Sequence, residues 1–464
     1  VADSWANSTD LHLDLSGPGG LRERLTRALR EAVRTGRLAP GTRLPPYRAL
    51  AADLGIARNT VADAYGELVA EGWLAARQGS GTRVALRTEP PRPRQRRPTP
   101  AAPLQGPRHN LSQGQPDAAE FPRAAWLASA RRALTSAPNA AFGPGDPRGR
   151  PELRRELADY LARARGVRAD ADHIVVCSGF SHALRLLGPL LPRTTAVEAY
   201  GLAFHRGLLT GAGIRAVPLA IDDHGARVAE LPATGAGAVL LTPAHQFPTG
   251  GPLHPLRRAA AVDWARDSGG LVVEDDYDGE FRYDRQPVGA VQGLDPEHVL
   301  YLGSVSKSLS PAVRLGWMVL PDRLVDGVLA AKGEREAWAS ALDQLTLADF
   351  IGSGGYDRHV RRMRQHYRRR RDQLVATLAE RAPHVRVTGI AAGLHAVLEL
   401  PPGTEPAAVA AARRAGLALD GLAAFRHPDS TMPAADGLVV GYSTPPEHAF
   451  ANAVAALCRV LPPG

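Results

Sequence analysis

Tyr301-Leu-Gly-Ser-Val-Ser-Lys307-Ser-Leu-Ser-Pro-Ala-Val-Arg314-Leu-Gly-Trp-Met-Val-Leu320 decides the reading of this chain. Of 56 basic side chains in 464 residues, only Lys307 and Lys332 are lysines. Arginine therefore serves wherever positive charge suffices. Lysine is needed only where an amine must lose its proton and attack a carbonyl, which a guanidinium cannot do. Lys307 follows a short β-type run, Val299 to Leu302, sits among Ser304, Ser306 and Ser308, and is followed by Arg314. This grouping suits an aldehyde cofactor that carries a phosphate, with an amine for a Schiff base and hydroxyls and a guanidinium for the phosphate. Lys332, in the polar run Ala331 to Glu336, reads as an ordinary surface lysine.

Outward from that stretch, the length admits two or three domains with a sizeable core. No run approaches the roughly 18 to 20 apolar residues of a membrane span. No basic segment with an apolar stretch and cleavage site opens the chain, so a cytoplasmic location is expected. Two cysteines, Cys177 and Cys458, argue against a disulfide framework. The net charge of +9 is uneven: residues 1–108 hold 17 Arg against 10 acids, or +7, which leaves +2 for the rest. A basic terminal segment on a near-neutral body suggests a polyanion-binding module.

That segment has its own pattern. Leu21, Leu25, Leu29 and Val33 predict an amphipathic helix to about Arg34. A second helix fits Tyr47 to Leu54, stopped by Gly55, and a third fits Arg58 to Glu71, stopped by Gly72. Residues 73–84 read as two short strands joined by a Gly-rich tip. Three helices and a hairpin make a winged helix-turn-helix. Arg58, Asn59 and Thr60 then open the recognition helix against base edges and phosphates, and Arg48 opens the second helix against the backbone. The wing Gly79-Ser80-Gly81-Thr82 completes the candidate DNA contacts.

Seven prolines and six arginines within residues 87–108 exclude a packed element and predict an extended linker, so the domains are read as 1–85, linker 86–108 and 109–464. Beyond it, strand-like runs alternate with helical stretches, which indicates an α/β sheet covered on both faces. Strands are expected at Ile174–Cys177, Thr195–Val197, Ala238–Thr242, Leu271–Glu274, Val299–Leu302 and Leu315–Val319, and helices include Pro151–Arg165 and Tyr356–Arg381. From about residue 382 shorter elements suggest a smaller α+β lobe.

Three features add to Lys307. Ser178-Gly179-Phe180-Ser181 lies between a strand and a helix, where backbone amides bind anions. The strand Leu271–Glu274 ends in Asp275, placed to pair with a pyridinium nitrogen, and Tyr277 is two residues on, within reach of a ring oxygen. The rival reading of this acidic run is a divalent-metal site. No nucleotide-binding loop accompanies it, and no metal ligand is assigned. Third, Thr242 to Gly250 forms a turn-rich loop at the same edge.

The head residues Leu44-Pro-Pro-Tyr-Arg48-Ala-Leu, Leu54-Gly-Ile-Ala-Arg58-Asn-Thr-Val61 and Gly79-Ser-Gly-Thr82 closely resemble GntR-type DNA-binding domains. The remainder resembles fold-type I pyridoxal-phosphate enzymes of the aspartate aminotransferase class. Together, with Gly149-Arg-Pro-Glu-Leu-Arg154, Gly303-Ser-Val-Ser-Lys307 and Gly393-Leu-His395, the chain resembles the MocR/GabR family of bacterial transcription regulators. The resemblance implies a multidomain chain with an α/β aminotransferase-like effector domain. It implies that Lys307 forms a Schiff base with pyridoxal phosphate, that Asp275 pairs with the ring nitrogen and that Tyr277 contacts the ring oxygen. Ser304, Ser306, Arg314 and the 178–181 turn would hold the phosphate. It also implies a double-stranded DNA operator and a head-to-tail homodimer.

Departures from the family pattern concern the ligand. Where an aromatic that stacks on the ring is frequent, this chain reads Glu198-Ala-Tyr200-Gly-Leu202, which leaves Tyr200 or Leu202 to cover it. Phe204 replaces the arginine of GabR-like members, Phe247 stands where the enzymes carry Asn, and Gly437 to Gly441 lacks the arginine for a substrate carboxylate. Arg206 and Arg426 are the candidate substitutes. The expectation is a regulator that binds pyridoxal phosphate and senses it, in one version to control vitamin B6 synthesis. The alternatives are an active aminotransferase with an appended head, and a DNA-binding protein whose large domain is an empty scaffold.

Overall fold

The computed structural model describes residues 13–77, 81–86, 107–283, 288–333 and 339–463. The chain divides into two compact units, Val1–Leu104 and Gln105–Gly464. Most of the expected linker, residues 87–106, lies outside the described residues, as do Gly79 and Ser80 at the wing tip.

In the first unit helices span Leu21–Arg34, Tyr47–Leu54 and Arg58–Ala70, followed by an antiparallel hairpin of Leu74–Arg77 with Gly81–Val84. Leu25, Leu29, Val61, Ala64, Tyr65 and Leu68 form its core. The expected stripe at every fourth residue is corrected at its start: Leu21 is exposed, while Val33 packs half-buried against the core beside the fully buried Ala32. A four-residue step overshoots the 3.6-residue turn, so a strict repeat drifts off the buried face within three steps. The Tyr65 hydroxyl donates to the Pro45 carbonyl at 3.1 Å and its ring packs edge-on against Tyr47, fixing the third helix to the start of the second.

The second unit is built on a seven-stranded sheet in the order Ile174–Cys177, Gly316–Val319, Val299–Ser304, Leu271–Asp275, Ala238–Leu241, Thr194–Glu198 and Arg215–Leu219. Gly316–Val319 runs antiparallel to both neighbours, and the other neighbouring pairs are parallel. Every residue of Leu271–Asp275 is buried, as expected of a strand covered on both faces. A four-stranded antiparallel sheet, Arg386–Thr388, His395–Glu399, Gly437–Gly441 and Asp420–Gly421, forms the smaller lobe. The core of that lobe also takes in Leu111 and Met363, Tyr367 and Leu374 of the helix Gly355–Arg381. His109–Asn110 adds a short parallel pair with Leu417–Ala418, so the start of this unit is woven into the lobe that ends it.

The run Asp275 to Glu280 is dealt out in several directions. Asp276 accepts from the Arg165 guanidinium at 2.6 and 3.0 Å and from the Tyr301 hydroxyl at 2.7 Å, all buried. Glu280 accepts from the Tyr356 hydroxyl at 3.4 Å, and Asp278 turns toward His245. Glu274, one residue earlier, accepts the Val291 and Gln292 amides. Lys332 corrects its reading as a surface lysine: it is buried, and its amine donates to the carbonyls of Pro147 and Val176 at 2.5 and 2.7 Å. The amphipathic stem carries the charge inward to satisfy two carbonyls at the start of the sheet. No described helix is long and apolar enough to cross a membrane.

Removing one partner of a buried ion pair strands the other charge. Asp276→Ala is therefore expected to cost about 3–5 kcal/mol, read as a lowered urea midpoint for the second unit. Asp276→Asn, which keeps one acceptor oxygen for the Arg165 Nε–H and the Tyr301 hydroxyl, should cost less.

Candidate cofactor pocket and DNA-contact surface

Parallel strands end at one edge, and ligands bind outside those carboxyl ends. Here the ends bring Cys177, Glu198, Leu241, Asp275 and Ser304 to a common rim, and a cavity of about 250 Å³ opens there. Lys307, Asp275, Tyr277, Ser304, Ser306 and Arg314 all line it. So do Gly179, Phe180, Ser181, Leu202 and Tyr200, which the structure thus brings together from elements far apart in the chain. Ser178 is the exception: its amide donates to His182 Nδ1 at 3.1 Å, and it stands outside the cavity lining.

The anion turn is held by close backbone approach. Gly179 has φ +101°, and a Cβ on Gly316 would lie 2.7 Å from the Gly179 Cα, so glycine is required on both sides. The helix Phe180–Leu187 starts at this turn, which aims its first amides at the rim beside Ser304, Ser306 and Arg314. Arg314 itself adopts the left-handed conformation, φ 55°.

Burial is the dominant electrostatic influence. It holds the Lys307 amine below its ordinary range, opposed by the charges of Asp278 and Asp275. Burial, then Asp276, pushes the Asp275 carboxyl well up, with Lys307 pulling the other way. Burial raises Glu198 to about 7 against hydrogen bonds from Thr242 and Gln246. An amine whose proton is held less tightly than in water can attack an aldehyde, and the nearby Asp275 favours the charged form that results.

Several participants were not foreseen. The Lys307 amine donates to the Gly114 carbonyl, and Gly114 has φ +77°. A Cβ there would come within 3.1 Å of Lys307 Nζ, so the loop covers the amine only because residue 114 is glycine. The loop is pinned by the second lobe: Thr444 Oγ1 donates to the Ser112 carbonyl at 2.7 Å and Ser443 Oγ to that of Gln115 at 2.5 Å. His205 also lines the cavity, its ring 4.5 Å from Phe180; burial, then Lys307 and Arg206, lowers it to about 4, so it is neutral. Its place one turn into the helix Ala203–Gly211 was the available signal. Tyr200, one of two candidates for covering a ring, is buried, and its hydroxyl accepts from the Ala435 amide at 3.4 Å, away from the rim; Leu202 is half-buried at the mouth.

The two candidate substrate arginines are engaged. Arg206 lines the cavity, yet its guanidinium donates to the carbonyls of Gly201, Phe425 and Arg426 at 2.7–3.2 Å. Arg426 donates to the carbonyls of Ser430 and Met432. The strand Gly437–Gly441 is wholly buried, and a Cβ on Gly441 would strike the Ser112 carbonyl at 2.2 Å, so an arginine has no room there. Phe204 is exposed.

On the head, Arg48, Arg58 and Asn59 are exposed and Thr60 is half-buried, all in the first turns of the second and third helices. Gly81 is exposed at the start of the second strand. Thr82 is a correction: it is only 7 % exposed, because alternation along Gly81–Val84 turns residues 82 and 84 inward. The exposed Arg83 and Arg43, paired as an isolated bridge, take the outward positions beside the wing.

The two parts of the chain match different families. Residues 21–84 match the family of bacterial regulatory proteins, gntR family, and residues 108–428 match aminotransferase class I and II. The chain is 33% identical to the HTH-type pyridoxine biosynthesis transcriptional regulator PdxR of Corynebacterium glutamicum, over 82% of this chain and 83% of that one. It is 32% identical to the probable rhizopine catabolism regulatory protein MocR of Rhizobium meliloti, over 79% and 78%. An archaeal alanine:glyoxylate aminotransferase superposes with TM-score 0.69 at 23% identity, covering 76% of this chain and 90% of that one, which shows the fold. A GntR head implies DNA binding, and the aminotransferase family implies pyridoxal phosphate; the amine, buried carboxylate, phenol and anion turn fit that group. The chain belongs to the MocR/GabR family of HTH-type transcription regulators, a GntR-type head joined to a fold-type I aminotransferase domain.

Proposed function

We propose that this regulator binds pyridoxal phosphate in the cavity around Lys307 and uses its occupancy to change how a homodimer engages operator DNA. One observation carries the reading. The cofactor-binding set, Ser178 apart, lines one cavity, whereas both arginines that could anchor a substrate carboxylate donate to backbone carbonyls. A ligand with a phosphate and an aldehyde therefore finds partners, and an amino acid's carboxylate does not.

Lys307 supplies the amine that attaches the aldehyde. Asp275 holds a positive ring nitrogen, Tyr277 faces the ring oxygen, and Ser304, Ser306, Arg314 and the amides at Gly179 to Ser181 receive the phosphate. Bound there, the cofactor supplies an electrophilic carbon and an electron-accepting ring. The pyridoxine-biosynthesis name of a relative supports the version in which pyridoxal phosphate is itself the signal. The intact set of Lys307, Asp275 and Tyr277 also supports a second reading, a working aminotransferase with an appended head. Conversion of bound cofactor to its amine form at catalytic rates by a panel of amino acids would favour that one.

Addition of pyridoxal phosphate to the purified protein is expected to produce a visible absorption band and to change operator affinity measured by fluorescence anisotropy. Lys307→Ala should lose both; a variant that kept the full affinity change would show that the amine is not the switch. On the head, Arg58→Ala should relax sequence preference at its contacted base by about 1–3 kcal/mol, measured by selection from randomised duplexes. Arg48→Ala should weaken all sequences alike and lower the slope of log affinity against log salt by about 1. Equal and uniform weakening by both would contradict these roles.

A further inference from the structure

Below the cavity lies a pair, His245 and Asp278, that the proposed function leaves unused. Asp278 Oδ2 and His245 Nδ1 are 2.9 Å apart, and both side chains are almost wholly buried, at 1 and 2 % exposure. The Tyr277 hydroxyl is also 2.9 Å from His245 Nδ1, with the two rings stacked at 29°. One ring nitrogen thus faces a carboxylate and a phenol at once. A carboxylate has no hydrogen, so the nitrogen facing it must carry one. Its lone pair is then unavailable, and the phenol oxygen shares that N–H hydrogen as an acceptor. The hydrogen of the phenol is left with two destinations, the Asp278 carboxylate beside it and the cavity that Tyr277 lines.

Three further features mark this arrangement as built. Gly393 has φ +71°, and a Cβ there would stand 2.4–2.6 Å from the His245 ring and Asp278 Oδ2, so the pair closes only against glycine. The Gly393 carbonyl accepts from the hydroxyls of Tyr283 and Tyr442, both at 2.6 Å, and its amide donates to Phe281. His395, beside it, donates Nε2–H to the Pro248 carbonyl at 3.0 Å and lies 5.2 Å from the His245 ring. Asp278 Oδ1, in contrast, is buried and has no hydrogen-bond partner among the described residues. A carboxylate kept half-satisfied in a core costs stability, which argues for a role in the site.

We propose that His245 and Asp278 are positioning residues that hold Tyr277 as a hydrogen donor to an oxygen entering the cavity, at a rim where Phe247 offers no polar atom. The proposal deepens the cofactor reading and rests on it only for the identity of that oxygen. Across the cavity the phenol shares its surroundings with Asp275, Glu198 and Lys307, while His245 is faced by Asp278, Tyr277 and, from the smaller lobe, His395. Were pyridoxal phosphate held there, a hydrogen donated by Tyr277 to its ring oxygen would draw charge from the ring and lower the pH midpoint of its absorption change.

The test has two arms. In ligand-free protein labelled with 15N-histidine, wild type should show one downfield, slowly exchanging Nδ1–H signal. It should vanish in His245→Gln and Asp278→Asn and move in Tyr277→Phe and Gly393→Ala. In protein given pyridoxal phosphate, the pH midpoint of the absorption change should rise by about one unit in Tyr277→Phe, the worth of roughly one hydrogen bond. It should rise by a similar amount in His245→Gln, with no further rise in the double variant. Absence of the Nδ1–H signal in wild type, or a His245→Gln midpoint unchanged where Tyr277→Phe shifts, overturns the proposal. A wild-type protein that shows the signal but no colour supports the hydrogen-bonded cluster and overturns the cofactor reading instead.

Discussion

The Lys307 amine is held in a partly buried cavity facing the fully enclosed carboxyl of Asp275, and the rest of the pocket is arranged around the cost of that enclosure. Both groups are shifted toward neutrality by burial, the amine downward and the acid upward, and each opposes the shift in the other. The edge that brings them together follows from strand direction. Leu271–Asp275 and Val299–Ser304 are parallel neighbours, so one delivers Asp275 and the other Ser304, with Lys307 in the turn just beyond. The antiparallel strand Gly316–Val319 returns the chain along the same edge, and its first residue meets the Gly179 turn. Four segments more than 100 residues apart at their extremes are thus fixed by backbone hydrogen bonding before any ligand contributes.

The acids near the pocket divide the work between scaffold and site. Asp276 and Glu274 are consumed by Arg165, Tyr301 and two backbone amides, which is how buried charge is normally tolerated. Asp275 and Asp278 border the cavity or its floor, Asp278 with one oxygen unpaired among the described residues, and Glu198 lines the cavity while accepting from Thr242 and Gln246. Position thus separates the scaffold acids from those at the site, although all belong to one short stretch of chain or to its neighbouring strands. The arginines divide likewise. Arg206 and Arg426 tie backbone carbonyls together beside the pocket, while Arg314 keeps its place on the rim.

Much of this was legible in the residues. Pro151–Arg165 and Ile174–Cys177 have the bounds expected from their patterns, because proline at a first helical turn, a stopping glycine and an unbroken apolar run are local signals. The helix Arg123–Ser136 was not foreseen: it buries only Ser129 fully and leaves Leu127 exposed, so it carries no inward apolar stripe. The edge strand Arg215–Leu219 was also missed, as Pro218 interrupts a pattern that only an edge tolerates. Thr82 and Lys332 went wrong for one reason. Side-chain direction depends on what lies across the strand or beneath the helix, and composition does not report it.

By itself the sequence determined the head with its recognition helix, the alternation that makes a covered sheet, and Lys307 as the amine that an arginine-based composition could not replace. These are matters of residue chemistry and local periodicity. Tertiary structure alone decided that Gly114 lies over the Lys307 amine, that Arg206 is spent on carbonyls, and that Gly393 lets His245 and Asp278 close beneath Tyr277. Each depends on approach between segments remote in the chain, where a missing Cβ or an occupied guanidinium has meaning only once its neighbour is known.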